Sequence, residues 1–116
     1  MSIKVGTDIV NINRIKDSID KFGNKFLERF LTKEEISRVK KLESIAGLWA
    51  AKEAIAKALG CGIGKELAFK NIVIKKDAKG APYFIINSSN FKIIDSSLSI
   101  SHDTDFAIAV VIVNYI

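Results

Sequence analysis

The sequence has a single cysteine, Cys61, a single histidine, His102, and a single proline, Pro82. One cysteine excludes an intramolecular disulfide and any zinc site built from several thiolates. No apolar stretch approaches the ~18 residues of a membrane span; the longest, 106–113, has only a strand's length. The N-terminal Met1-Ser2-Ile3-Lys4-Val5 lacks the charged-then-apolar run of a signal peptide, so a reducing, cytoplasmic setting without a membrane partner is expected. Internal repeats, low-complexity tracts and linkers are missing as well. With 116 residues the chain has material for one domain, 1–116. A domain of this size buries only about two-thirds of the surface its unfolded chain exposes, so association of subunits is expected.

Charge of one sign is in excess: 18 Lys and Arg stand against 13 Asp and Glu, for a net charge of +5. A small basic protein attracts polyanions, whether nucleic acid, anionic lipid, phosphorylated cofactors or acidic proteins. The cations do not form one block, which argues against a disordered nucleic-acid tail, although they thicken between Arg14 and Lys41.

Residues 3–10 are rich in β-branched side chains and predict a strand. Ile12, Ile15, Ile19 and Phe22 recur at helical spacing over 11–22, Gly23 breaks the pattern, and 24–30 suits a second short helix. Thr32 followed by Glu35 reads as a capping box, which predicts a helix over 33–42. An alanine-rich helix follows near 43–59 and ends at Gly60 and Gly62. Beyond it the pattern changes to strands. Segments 71–76 and 83–87 flank the turn at 77–82, and 98–101 and 106–113 flank a turn at 102–105. Residues 87–90 are a polar interruption, and 91–94 fits either a strand or a short helix. The sum is an α+β domain with helices mainly in the first half, packed on a mostly antiparallel sheet.

The alanine-rich helix is apolar nearly all round, yet it holds Lys52, Glu53 and Lys57. Glu53 and Lys57 are four apart and share a face with Ala46 and Ala50. Two readings stand. One is an ordinary i,i+4 ion pair, contributing ~0.2–0.5 kcal/mol on a solvated face. The other is a carboxylate and an ammonium on a small-residue floor that leaves room for a bulky anionic ligand, where a metal or phosphate offsets the cost of burying charge. Asp8 is equally open, since a carboxylate at a strand end also suits the cap of the following helix. Gly6 beside it permits close approach of a ligand. His102, next to a turn, reads as a structural or solvated residue by default.

Several segments, in order along the chain, are similar to those of the holo-acyl-carrier-protein synthases. Trp49-Ala50-Ala51-Lys52-Glu53-Ala54-Ile55-Ala56-Lys57-Ala58-Leu59-Gly60 resembles that family's F-A-A-K-E-A-x-x-K-A-x-G signature. Gly6-Thr7-Asp8-Ile9 resembles its G-x-D-I strand, and Phe30-Leu31-Thr32-Lys33-Glu34-Glu35 its F/L-T-x-x-E segment. Gly80-Ala81-Pro82 is similar to its G-x-P turn, and Ser99-Ile100-Ser101-His102 with Phe106-Ala107 to its S-x-S-H…Y-A strand pair.

The resemblance implies a 4′-phosphopantetheinyl transferase fold and the transfer of 4′-phosphopantetheine from coenzyme A to a serine of apo acyl carrier protein, in fatty acid biosynthesis. Adenosine 3′,5′-bisphosphate is the by-product, and Mg²⁺ or Mn²⁺ is required. Carried over residue by residue, Asp8 and Glu53 are the metal carboxylates, and Glu53 and Lys57 the catalytic pair. Lys57, Gly60, Gly80, Pro82, Ser101 and His102 fall at coenzyme A-binding positions, with Lys40 and Lys41 toward the adenosine-bisphosphate end. Arg14, Lys21 and Lys25 are the implied docking face for the acidic carrier protein, although scattered cations are by default a solvated face. The family's usual state is a homotrimer with active sites between subunits and the His102 strand supplied across the interface. Two departures stand out: Leu48 replaces a common arginine, and Cys61 a frequent threonine. The rival readings are a non-catalytic basic domain on nucleic acid, for which no RRM, KH or zinc-finger pattern is present, and a family member that binds without turnover.

Overall fold

The chain begins and ends in the same sheet. In the computed structural model, which describes residues 2–88 and 90–115, β1 (Ser2–Asn11) and the last strand, β5 (Phe106–Tyr115), pair antiparallel over their whole lengths. β4 (Ile93–Asp103) pairs with the other side of β5, giving the order β1-β5-β4 with β5 central. Strand alternation then divides the sheet into two faces. Ala107, Ala109, Val111 and Val113 of β5 point inward and are buried, whereas Phe106, Ile108, Val110 and Ile112 point outward and are exposed.

Helices fill the first half, as expected: α1 (Ile12–Phe22), α2 (Asn24–Phe30), α3 (Lys33–Arg38) and α4 (Leu42–Ala58). Asn11, not Asp8, caps α1, its side chain accepting from the Asn13 amide at 2.8 Å. The Thr32–Glu35 capping box is formed in both directions, at 3.2 and 2.8 Å. The helix it starts stops at Arg38, shorter than the expected 33–42, because Val39 is already extended. A 3₁₀ turn (Phe69–Asn71) leads into β2 (Ile72–Lys76), which pairs with β3 (Pro82–Ile86) as a separate hairpin.

Two boundaries differ from the sequence pattern. β4 begins at Ile93 and absorbs the ambiguous 91–94 region in part, with a bulge between Ile93 and Asp95. His102 and Asp103 belong to β4, so the turn to β5 is only Thr104 and Asp105, with Thr104 at φ 51. Of the polar interruption at 87–90, Ser89 lies outside the described residues.

α4 lies across the inner face of the sheet, and small residues set how closely. A Cβ added to Gly6 of β1 would stand 1.9 Å from the Ala54 carbonyl oxygen, and one added to Gly47 would stand 2.8 Å from Ile100 Cγ2 on β4. The later turns of α4 therefore sit over the β1 edge and its earlier turns over the β4 edge. Ala46, Ala50, Ala54 and Ala58 are buried in this contact.

Candidate active site

The alanines of α4 are packed against the sheet, so they are not an open floor for a ligand. Ala46 and Ala50 have no exposed surface. The small side chains serve helix–sheet approach, and Gly6 likewise admits the α4 backbone rather than a ligand. This approach has a chemical result. Gly6, Asp8 and Val10 share one face of β1, so Asp8 is carried in beside the last turns of α4.

Lys57 Nζ donates to Asp8 Oδ1 at 3.0 Å and to the Thr7 carbonyl at 3.1 Å. Asp8 is largely shielded, with 16% of its side chain exposed, while Lys57 is 55% exposed. The anticipated Glu53–Lys57 pair is not among the salt bridges of the described residues, because Lys57 has turned to Asp8. Glu53 stays half-buried beside them. Burial pushes its carboxyl above the ordinary 4.5, the negative charge of Asp8 pushes the same way, and Lys57 opposes both.

Two neighbouring carboxylates, only one of them paired with an ammonium, suit a hard divalent cation, which would relieve their mutual repulsion. Among the described residues no three His, Cys, Asp or Glu side chains are grouped so as to hold a metal ion by themselves. Two protein carboxylates are nevertheless within the habit of Mg²⁺, which keeps several waters and accepts ligand phosphate oxygens. The residues present therefore fit such an ion.

A second assembly lies at the other edge of the sheet. A groove of about 640 Å³ is lined by Lys40, Lys41, Leu48, Gly80, Pro82 and His102, among others. Five of these six are positions that the family resemblance implies for coenzyme A, Lys40 and Lys41 for its adenosine-bisphosphate end. The sixth is Leu48, so the place of the missing arginine is in the groove wall. His102 is on the inner face of β4, opposite Ala107, whereas Ser101 is opposite exposed Ile108 on the outer face. The structure thus separates these two neighbours, although both border a shallow cleft with Ile9, Asp103, Phe106 and Ile108.

Gly60 (φ 83) and Gly62 (φ 65) adopt the left-handed conformation after α4, and their amides bond Lys57 O and Ala56 O. The Gly64 amide bonds Leu67 O. All three amides are spent inside the loop, as a helix stop requires. Arg14 and Lys21 of α1 and Lys25 of α2 are exposed, and none appears among the salt bridges of the described residues. Lys21 lies over the ring of exposed Phe22 at 5.3 Å.

The residues that sequence reasoning missed are a buried pair. Lys52 Nζ donates to Glu35 Oε1 at 2.7 Å, to Phe30 O at 2.7 Å and to Phe69 O at 3.2 Å, and both side chains are fully buried. Burial pulls the lysine's pKa below its ordinary 10.5, and Glu35 opposes that pull. A signal existed: at i±4 from Lys52 stand only Leu48 and Ala56, so its partner had to come from elsewhere in the chain.

A model of the 4′-phosphopantetheinyl transferase superfamily matches residues 4–111, which fixes the class. The chain is 55% identical to the holo-[acyl-carrier-protein] synthase of Sulfurovum sp. over 116 residues, 97% of this chain and 98% of that protein. It superposes on the crystal structure of the Helicobacter pylori holo-[acyl-carrier-protein] synthase in complex with coenzyme A with a TM-score of 0.89. That pair is 48% identical, and the match covers 95% of this chain and 99% of the other. A Bacillus anthracis holo-(acyl-carrier-protein) synthase, in complex with CoA (3′,5′-ADP), gives 0.81 at 40% identity, covering 95% and 94%. Within the superfamily, the chain belongs to the holo-[acyl-carrier-protein] synthase family.

Proposed function

We propose that this chain transfers 4′-phosphopantetheine from coenzyme A to a serine of apo acyl carrier protein, releasing adenosine 3′,5′-bisphosphate, in support of fatty acid biosynthesis. The observation that carries the reading is the convergence of Asp8, Glu53 and Lys57, in a chain of this family, at one end of α4. Asp8 and Glu53 would hold Mg²⁺, with Mn²⁺ as an alternative. When bound, such an ion neutralises charge on a pyrophosphate and orients it.

The chain's own groups do the rest. The serine oxygen attacks the phosphorus of the phosphopantetheine arm, and the bond from that phosphorus to the bridging oxygen breaks. Glu53, whose carboxyl is shifted upward by burial, takes the serine proton directly or through a water. Lys57 is half-exposed and turns from Asp8 to the leaving phosphate, where a compact ammonium stabilises the growing charge. Lys40, Lys41 and His102 receive the adenosine-bisphosphate end in the basic groove. Most of the rate comes from positioning and electrostatics, as in other phosphoryl transfers.

We also infer a homotrimer. The number three is carried over from the family resemblance. What supports association is the outer face of the sheet, where Val5, Ile9, Ile108, Val110 and Ile112 are exposed together. Because the carboxylate centre and the groove occupy opposite sheet edges, a cofactor that reaches both would bridge neighbouring subunits. Arg14, Lys21 and Lys25 supply the cationic side for an acidic carrier protein, and steering by such charges is salt-sensitive. A cytoplasmic location agrees with these substrates, and no helix among the described residues is long and apolar enough to cross a membrane.

The test is a mass-spectrometric assay of apo carrier protein with coenzyme A and Mg²⁺. A phosphopantetheine mass increment is expected, and folded protein that yields none with its cognate carrier refutes the reading. Asp8→Asn and Glu53→Gln should each abolish metal-dependent turnover; near-normal rates in both would refute the metal assignment.

A further inference from the structure

α3 is docked onto the protein by a charged side chain. Glu35 is the one fully buried residue among its six, Lys33–Arg38. A short helix normally docks through apolar residues, and a buried ion pair is no more stabilising than apolar side chains of the same volume. The pair therefore calls for an explanation other than stability, and its bonds supply one.

Glu35 divides its two oxygens between the helices and the hairpin. Oε1 takes Lys52 Nζ at 2.7 Å and the Thr32 amide at 2.8 Å, and Oε2 takes the Ile74 amide at 2.8 Å. Ile74 is at the middle of β2, and its carbonyl accepts from Arg38 Nη2 at 2.6 Å, so α3 grips β2 by both backbone groups of one residue. β2 pairs with β3, and the hairpin brings Gly80 of its turn and Pro82 at the start of β3 to the groove. Lys52 completes the chain of contacts. It immediately precedes Glu53 on α4 and spends all three ammonium protons on Glu35, Phe30 O and Phe69 O.

We propose that Glu35 and Lys52 are positioning residues, a buried tether that sets the α3–β2–β3 wall of the nucleotide groove relative to the α4 side of the same groove, where Ser44 and Leu48 lie. This rests on the reading above that the groove holds the adenosine-bisphosphate end. Glu53 itself is fixed by α4 packing flush on the sheet, so loosening the tether moves the groove wall and leaves the reacting groups in place. The loss then falls on ligand affinity rather than on turnover.

The test compares wild type, Glu35→Gln and the double variant Glu35→Leu/Lys52→Met, which removes both charges and keeps the site apolar. Adenosine 3′,5′-bisphosphate binding is measured by calorimetry, and KM for coenzyme A, kcat and Tm are measured alongside. The double variant should retain a cooperative melt, weaken the bisphosphate by about tenfold or more, raise KM in parallel, and keep kcat within about threefold at saturation. Glu35→Gln, which preserves shape, should fall between it and wild type and serves alone if the double variant does not fold. Unchanged binding in the folded variants, or a fall in kcat with unchanged KM, overturns the tether. A wild-type chain that does not bind the bisphosphate overturns the groove reading first, and the tether with it.

Discussion

Lys57 on α4 and Asp8 on β1 are 49 positions apart in sequence and meet at 3.0 Å. Their contact joins the end of the central helix to an edge of the sheet, and it is accessible enough to be exchanged for a ligand. Lys57→Met should lower kcat/KM by about 10²–10³, the scale for loss of one charge-stabilising group at a transition state. Its effect on folding should stay below about 1 kcal/mol, because an exposed ammonium contributes little to stability. Steady-state kinetics beside a urea melt separate the two. Activity within about threefold of wild type would remove Lys57 from the chemistry.

Glu53 gives the metal-free protein a defined pH signature. Its folded pKa is raised, first by burial and then by Asp8, so the folded chain holds this proton more tightly than the unfolded chain. The contribution is fully favourable below the ordinary value of 4.5 and is lost as pH rises through the higher folded value. The Tm of Glu53→Gln should therefore rise relative to wild type as pH climbs above 4.5 in chelator. Mg²⁺ should narrow that gap by stabilising wild type alone. Parallel Tm curves across the range would contradict the shift.

The two buried contacts of α4 with glycine differ in kind, and their alanine variants should differ too. At Gly6 the new methyl meets backbone, the Ala54 oxygen at 1.9 Å and the Ala58 nitrogen at 2.9 Å. At Gly47 it meets only the end of the Ile100 side chain at 2.8 Å, which can rotate away. Gly6→Ala should cost about 1–3 kcal/mol or more in urea unfolding and depress activity by shifting Asp8. Gly47→Ala should cost less than about 1.5 kcal/mol. The reverse order would show that α4 is not seated as described.

Val110 is on the exposed apolar face, on the central strand. For the trimer proposed above, Val110→Glu should shift the particle to monomer in light scattering at micromolar concentration, with activity falling in step. A wild-type chain that scatters as a monomer would dismiss the trimer.

Much of this was legible in the sequence because it depends on local rules. The capping box at Thr32, the helix stop at Gly60 and the strand over 106–113 follow from such rules, but which face of that strand is buried does not, because both faces are apolar. Asp8 could be found only by resemblance, since its partner Lys57 lies 49 positions further along the chain and no local spacing links the two. The alanine face of α4 was misread because a small residue has two uses, room for a ligand or closeness to a strand, and periodicity does not distinguish them. Glu35 showed only its local role as a cap. Its second role needs Lys52, 17 residues away, and Ile74, 39 away. β4 ran longer than its apolar core because Ser96, Ser97 and Ser99 are exposed edge positions, tolerant of polar side chains.

The flush seating of α4 also governs which changes the protein can absorb over generations. An enlargement under the helix's last turns meets helix backbone, which no side-chain rotation relieves, so the reacting end has few single-step neighbours in sequence space. At the groove wall, Leu48 is a half-buried side chain that already departs from the family pattern. Engineers who want a different nucleotide handle should begin at that side chain.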